Sequence, residues 1–356
     1  MKTNRHYAGH AFGNRWQPLS LMVALMAWEN PSPADAALPT AAHNALAPAG
    51  PQAAHIAELW YLIVGVCGIV FTLVLLAVLY AIWRAPRATE TTPAALHDDN
   101  PRIRRSVVWA VIVSTALLIL LTVASIATDR VLSGLSLTDA IHIDITAHQW
   151  WWEARYDDAQ PSNRFTTANE IHIPVGKPVI LTLKSDDVIH SLWVPNLAGK
   201  KDLIPGRTAT LTLQADREGD YRGQCAEFCG YQHSYMAFLL RADVPARYQA
   251  WLEAQRQPAA QSAAALESRG RQVFLGGNCA MCHAIEGTGA GGRHGPDLTH
   301  LASRESIAAG TLANTPENLA RWISDPQAIK PGANMPPTDL PPDDLQALVA
   351  YLSSLP

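Results

Sequence analysis

Residues 225–236 read CAEFCGYQHSYM and residues 279–283 read CAMCH, so four of the five cysteines in the chain fall in two close pairs. In the first pair, Cys225, Cys229, His233 and Met236 form C-x3-C-x3-H-x2-M, a run of soft and borderline donors. A single copper of blue type needs one thiolate, two imidazoles and a weak thioether, and here there is one thiolate too many. A disulfide suits short spacing in an oxidising compartment, and zinc takes thiolate and imidazole but has little use for a methionine. Two thiolates can instead bridge two copper ions, provided that a second imidazole arrives from elsewhere. His190, in DVIHSLWVP, is the candidate, on a loop after a strand.

Cys279, Cys282 and His283 have the C-x2-C-H form of covalent haem attachment. Two thiols at that spacing can bond the vinyl groups on one porphyrin edge, and the histidine that follows is placed to ligate the iron. A disulfide or a redox C-x2-C with an incidental histidine is the alternative. Met335, in the Pro-rich KPGANMPP, offers the matching distal thioether. Ligation by His and Met leaves no open position on the iron, which suits electron transfer rather than oxygen binding. The fifth cysteine, Cys67, lies in an apolar run and reads as a small hydrophobe.

These residues need a scaffold, and composition says where it sits. The balance of 27 Lys+Arg against 31 Asp+Glu gives a net charge of -4 and no basic surplus for nucleic acid. Charged residues make up only 16%, a low share for a soluble chain. Two uncharged runs account for this, residues 60–83 and 106–128. Each reaches about 35 Å as a helix, against about 30 Å for a hydrocarbon core, so both are expected to span a membrane as a two-helix hairpin. A buried core helix is the alternative, disfavoured by that length without charge and by Trp60 and Trp83 at the ends of the first run.

PLSLMVALMAW, at 18–28, is too short to span, follows Lys2, Arg5 and Arg15 and precedes Ala34-Asp35-Ala36, so residues 1–36 read as a signal peptide, with an uncleaved interfacial anchor as the alternative. Arg84, Arg87, Arg102, Arg104 and Arg105 crowd between the spans, while 29–59 carries no Lys or Arg. The connecting loop is therefore expected in the cytoplasm and everything after Asp129 outside, which for a bacterial inner membrane means the periplasm.

The N-terminal segment and hairpin occupy 37–130. From Ile141 onward short β-rich runs alternate with Pro, Gly and Asp turns: IHIDITAHQWWWEARY, EIHIPV, VILTLKS, RTATLTLQA, GDYRGQC and YMAFLLRADV. Six or so strands at this spacing predict an all-β sandwich over 131–255, closed by a helix over 245–255. A small and polar linker, 256–266, leads to a helical, Gly/Pro-rich domain over 267–356, with helices at TPENLARWISDP and PPDDLQALVAYLSSL.

Together these residues resemble subunit II of haem–copper cytochrome c oxidase. CAEFCGYQHSYM is similar to its copper A motif C-x-E-x-C-x3-H-x2-M, DVIHSLWVP to the segment supplying the first histidine, and HQWWWEARY to its aromatic region. The CxxCH domain, with GPDLTHLASR and KPGANMPP, looks like the class I cytochrome c fused to that subunit in the caa3 type. The resemblance implies a cupredoxin-like sandwich, with Cys225 and Cys229 bridging two coppers, His190 and Met236 on one, and His233 with the Glu227 carbonyl on the other. It implies a magnesium ion reached by the Glu227 side chain at the subunit I interface, and Trp150 as the aromatic through which electrons enter. For Trp151 and Trp152, core packing or a membrane-interface belt stays as open as a share in that role.

The implied task is a one-electron relay from the haem held by Cys279, Cys282, His283 and Met335 to copper A and on to subunit I, where O2 is reduced to water. Implied partners are subunit I, subunit III and an external donor such as a soluble cytochrome c. One position departs from the family: its glutamate three residues before the Trp of the second span is Ser106 here, ahead of Trp109, which puts proton uptake through this subunit in doubt. Rival readings are the electron-input subunit of a copper A nitric oxide reductase and a membrane-anchored periplasmic copper-binding protein. Quinol-oxidising relatives lose the copper ligands that this chain keeps.

Overall fold

The computed structural model describes residues 41–85 and 101–356; the expected signal peptide and the centre of the Arg-rich loop lie outside the described residues. Two long helices come first, α1 (Pro51–Arg84) and α2 (Pro101–Ser133), both long and apolar enough to cross a membrane. Their apolar side chains point outward, as with Phe71 at 68% and Leu118 at 66% exposure. In water that surface would be costly, at about 25 cal/mol per Å2 of apolar area. In a bilayer it costs nothing. The Ser106 hydroxyl donates back to the Arg102 carbonyl, 3.0 Å away on the helix's own turn.

Helix α1 starts before its apolar run because its first turns are bound to the domain that follows. Ala42 N donates to Asp220 O (2.8 Å), Ala49 N to Asn196 O (2.7 Å) and Ala53 N to Leu197 O (3.1 Å). A Cβ on Gly50, the residue before the helix, would sit 1.9 Å from the Gln214 carbonyl oxygen, so only glycine allows this approach. The anchor and the sandwich are thus one continuous structure.

The sandwich has two five-stranded sheets. The first, in the order β3-β2-β1-β5-β8, contains β1 (Ile141–His148), β2 (Trp151–Tyr156), β3 (Phe165–Ala168), β5 (Val179–Ser185) and β8 (Ala209–Leu213). The second, in the order β4-β10-β9-β6-β7, contains β4 (Glu170–Pro174), β6 (His190–Trp193), β7 (Lys201–Leu203), β9 (Gly219–Cys225) and β10 (Ala237–Asp243). Period-two alternation places Ile143, Ile145 and Ala147 of β1 beside Val179, Leu181 and Leu183 of β5, all fully buried. Burial of each larger side chain stabilises the fold by about 1.5–3 kcal/mol.

Ten strands replace the six or so expected. The run IHIDITAHQWWWEARY bends into the hairpin β1–β2, and β3, β6 and β7 are only three or four residues long, too short to show a period. His190 corrects a second expectation, because it is the first residue of strand β6 and not part of a loop. It pairs with Leu203 while Leu192 two positions on pairs with Cys225, so the ladder holds His190 against the end of β9. Trp152 is wholly buried in the sandwich core and Trp151 stacks on His148, which excludes a membrane belt for both.

Helix α3 (Pro245–Gln255) closes the sandwich. Its Trp251 stacks on His172, whose ring bridges Asp243 (2.6 Å) and Glu170 (3.1 Å) in a buried cluster. The helical domain follows with α4 (Ala265–Gly276), α5 (Cys279–Cys282), α6 (Pro316–Ser324), α7 (Pro326–Ile329) and α8 (Pro342–Ser353). A two-residue ladder, β11 (Ser306–Ile307) with β12 (Leu312–Ala313), and a single bridge between Ala284 and Gly291 are its departures from an all-helical domain among the described residues. Proline starts α6 and α8 where its fixed φ helps, Thr315 caps α6 by accepting from Asn318 N, and Asp325-Pro326 ends it. Helices α4 and α8 touch at the backbone, since a Cβ on Gly270 would lie 1.9 Å from the Ala347 carbonyl oxygen.

Candidate metal centres

The loop after β9 gathers the first donor set. Cys225 ends that strand, Met236 precedes β10, and the chain between them folds back through a short helical turn at His233–Tyr235. The two sulfurs lie 3.8 Å apart, far beyond the roughly 2.05 Å of a disulfide. Both thiols are free and buried. His190 Nδ1 is 3.8 Å from the Cys225 sulfur, His233 Nδ1 is 3.6 Å from the Cys229 sulfur, and the Met236 sulfur is 3.8 Å from that of Cys229. The Glu227 carbonyl oxygen lies 3.1 Å from the Cys225 sulfur.

This arrangement is electrostatically prepared for cations. The hydrogen bond between the two sulfurs lowers the pKa of Cys225 and raises that of Cys229, so the remaining proton sits on Cys229, where an incoming metal displaces it. His190 Nε2 donates to Asp187 Oδ1 at 2.7 Å, which fixes its tautomer and leaves the Nδ1 lone pair facing Cys225. Asp187 also accepts from Val188 N and Gln149 N, each at 2.6 Å. Two thiols flanked at opposite ends by imidazoles, with a thioether and a carbonyl beside them, fit two cations of the copper type better than one.

A cavity of about 640 Å3 in the helical domain holds the second set. Cys279, Cys282, His283 and Met335 all line it. His283 Nδ1 donates to the Pro296 carbonyl at 2.7 Å, which leaves Nε2 unprotonated and able to ligate, and burial lowers its pKa against the opposing pull of that bond. Gln327 holds the methionine loop, donating to Ala333 O (2.7 Å) and accepting from Gly332 N (2.8 Å). Arg304 is buried on the cavity wall, its Nε has no hydrogen-bond partner among the described residues, and burial lowers its pKa. An unpartnered buried guanidinium N–H calls for an anionic group, and haem with its propionates fits both the volume and the donor.

Residues 159–243 match the family described as Cytochrome C oxidase subunit II, periplasmic domain, and residues 267–356 match the family described as Cytochrome c. Cytochrome c oxidase subunit 2 of Alkalihalophilus pseudofirmus is 37% identical over 321 residues, covering 88% of this chain and 90% of that protein. The chain belongs to the cytochrome c oxidase subunit 2 family. The corresponding protein of Bacillus subtilis is 31% identical, covering 62% of this chain and 64% of its own length. Among solved structures, the periplasmic domain of subunit II of cytochrome oxidase from Bradyrhizobium japonicum is similar at 28% identity over 34% of this chain and 97% of that one, with a TM-score of 0.32.

As a cytochrome c oxidase subunit 2, the chain is part of an oxidoreductase complex with other subunits, held in a membrane, and its two matched domains imply copper A and haem c. The structure brings His190, Cys225, Cys229, His233, Met236 and the Glu227 carbonyl together at one end of the sandwich, while the Glu227 side chain is exposed. Trp150 lies between the two sites. Its ring lines the haem cavity, and its indole N–H donates to the Cys229 carbonyl at 2.9 Å beside a second donor, Gln149 Nε2, at 2.8 Å. Asp187 and Arg304 escaped the sequence reading. Each stands inside a stretch singled out there, DVIHSLWVP and GPDLTHLASR, and an acid three residues before a candidate ligand was the available signal for the first.

Proposed function

We propose that this chain is the electron-input subunit of a caa3-type haem–copper oxidase, carrying its own cytochrome c. Cys279 and Cys282 would attach the haem, and His283 and Met335 would ligate its iron. Cys225 and Cys229 would bridge two coppers, one completed by His190 and Met236, the other by His233 and the Glu227 carbonyl. When bound, these groups supply one-electron storage with little change of geometry between redox states. The protein's residues position them, exclude water and tune their potentials.

The observation that carries this reading is the placement of Trp150, in contact with the haem cavity on one side and hydrogen-bonded to the backbone of Cys229 on the other. It supports Trp150 as the aromatic through which electrons pass to the copper loop. Exposed Glu227, Phe228 and Ile189 share the copper end of the sandwich and would face oxidase subunit I, with Glu227 reaching a magnesium ion there. A signal peptide over 1–36, a periplasmic location for the sandwich (131–255) and the cytochrome domain (267–356), a neighbouring subunit III and a soluble cytochrome donor complete the proposal.

The test is a purified complex assayed for O2 and for NO consumption, with haem staining of the denatured polypeptide. Covalent haem on this chain and turnover with O2 are expected. Turnover with NO alone would make it the input subunit of a nitric oxide reductase, and a polypeptide without haem would leave only a copper-binding anchor.

A further inference from the structure

The two domains are joined by more than the linker. Lys330, five residues before Met335, is buried, and its amine donates to the Tyr235 carbonyl (2.9 Å), between His233 and Met236, and to the Ala308 carbonyl (3.1 Å) of its own domain. Lysine is rarely buried without a paired charge. None of the ion pairs among the described residues includes this one. Burial pushes its amine down to about 7, and even a neutral amine keeps two N–H bonds, one for each carbonyl.

Around it the loops interlock. The Gln232 side-chain amide donates to the Pro331 carbonyl, Asn334 Nδ2 donates to Gln149 O at 2.8 Å, and Ala237 N donates to Ala309 O at 3.2 Å. Ala308 and Ala309 both have positive φ (54° and 56°), a conformation costly for alanine. Asn169, a third such residue (φ 60°), lines the same cavity. Strain of this kind persists where surrounding contacts over-determine it. Here it presents the Ala308 carbonyl to Lys330 and the Ala309 carbonyl to β10.

We propose that Lys330 is a positioning residue that locks the loop carrying Met335 onto the loop carrying His233 and Met236, holding the two redox sites in one fixed geometry within the chain. Transfer between them then needs no search by a tethered domain. The functional meaning rests on the reading of the two metal sites given above, but the lock itself does not.

The test is Lys330→Met in the full oxidase complex, which keeps the aliphatic stem and removes the donors. Hydrogen exchange of the segments around Ala237 and Ala309 reads docking, whatever the cofactors do. Reduction of the haem by a photoreductant, followed by its reoxidation as one electron reaches the copper pair, reads transfer. Wild type is expected to transfer at a rate independent of added glycerol and salt. The variant is expected to exchange those segments about tenfold faster, the factor for the net loss of one buried hydrogen bond, and to transfer more slowly with a new dependence on viscosity, both metal spectra being unchanged. Asn334→Ala, which removes the exposed bond to Gln149 and keeps Lys330 in place, is expected to show the same two changes in smaller measure if Lys330→Met does not fold. Exchange and transfer at wild-type values in either folded variant would overturn the lock. Missing haem or copper signals in the wild type would instead strike the function proposed above.

Discussion

Asp187 is the residue whose removal reports most on how the copper loop is built. Its carboxylate accepts from His190 Nε2 (2.7 Å), Val188 N (2.6 Å) and Gln149 N (2.6 Å), and the His190 side chain it orients is fully buried. Asp187→Ala strands the buried Nε2–H, at about 1–3 kcal/mol, and frees the ring to turn its Nδ1 away from Cys225. Loss of an outer partner of this kind weakens metal binding about 10–100-fold. That factor equals about 1.4–2.7 kcal/mol, so it accounts for most of the stranded bond. The assay is competition for copper against a chelator of known affinity, on protein whose circular dichroism matches wild type. Binding within twofold of wild type would show that Asp187 does not orient His190, and the assignment of His190 to the copper site would lose its physical support.

Two further variants probe the scaffold. Gly270→Ala inserts a methyl where α4 and α8 meet at the backbone, and denaturant unfolding followed by haem absorbance should lose about 1–3 kcal/mol; wild-type stability would mean that the helices part freely. His172 has its pKa raised, because its bonds to Asp243 and Glu170 outweigh the burial that opposes its charge. A raised folded value contributes stability that is complete below pH 6.5 and fades as pH rises through the folded pKa. The thermal midpoint of the wild-type sandwich should therefore fall from pH 6 toward pH 8.5, and His172→Gln should lower the midpoint at pH 6 and flatten the slope, whereas an unchanged slope would assign the pH dependence elsewhere.

The parts of this molecule that were legible in sequence are those whose chemistry is local. Two thiols with His233 and Met236 within twelve residues, and CxxCH with its histidine, stand out by spacing as candidate ligands. The long strands β1 and β5 alternate cleanly, and the spans are uncharged runs long enough to cross a bilayer. What stayed hidden depends on contacts between distant segments. Strand β6 is only four residues and exists because β7 and β9 flank it, which is why His190 read as a loop residue. Trp151 and Trp152 differ in fate only because β2 turns one side chain into the sandwich core and the other toward the cytochrome domain. Arg304 and Lys330 look like ordinary surface cations in sequence; burial against the haem cavity and a domain interface gives them their meaning.

The central claim is that two unjoined thiols hold two metal ions, and metal analysis with electron paramagnetic resonance on the copper-loaded, haem-containing protein tests it most directly. The expected result is two coppers for each haem and hyperfine structure from two equivalent copper nuclei sharing one unpaired electron. A single copper per haem, a spectrum from one nucleus, or a sulfur–sulfur bond between Cys225 and Cys229 would contradict it.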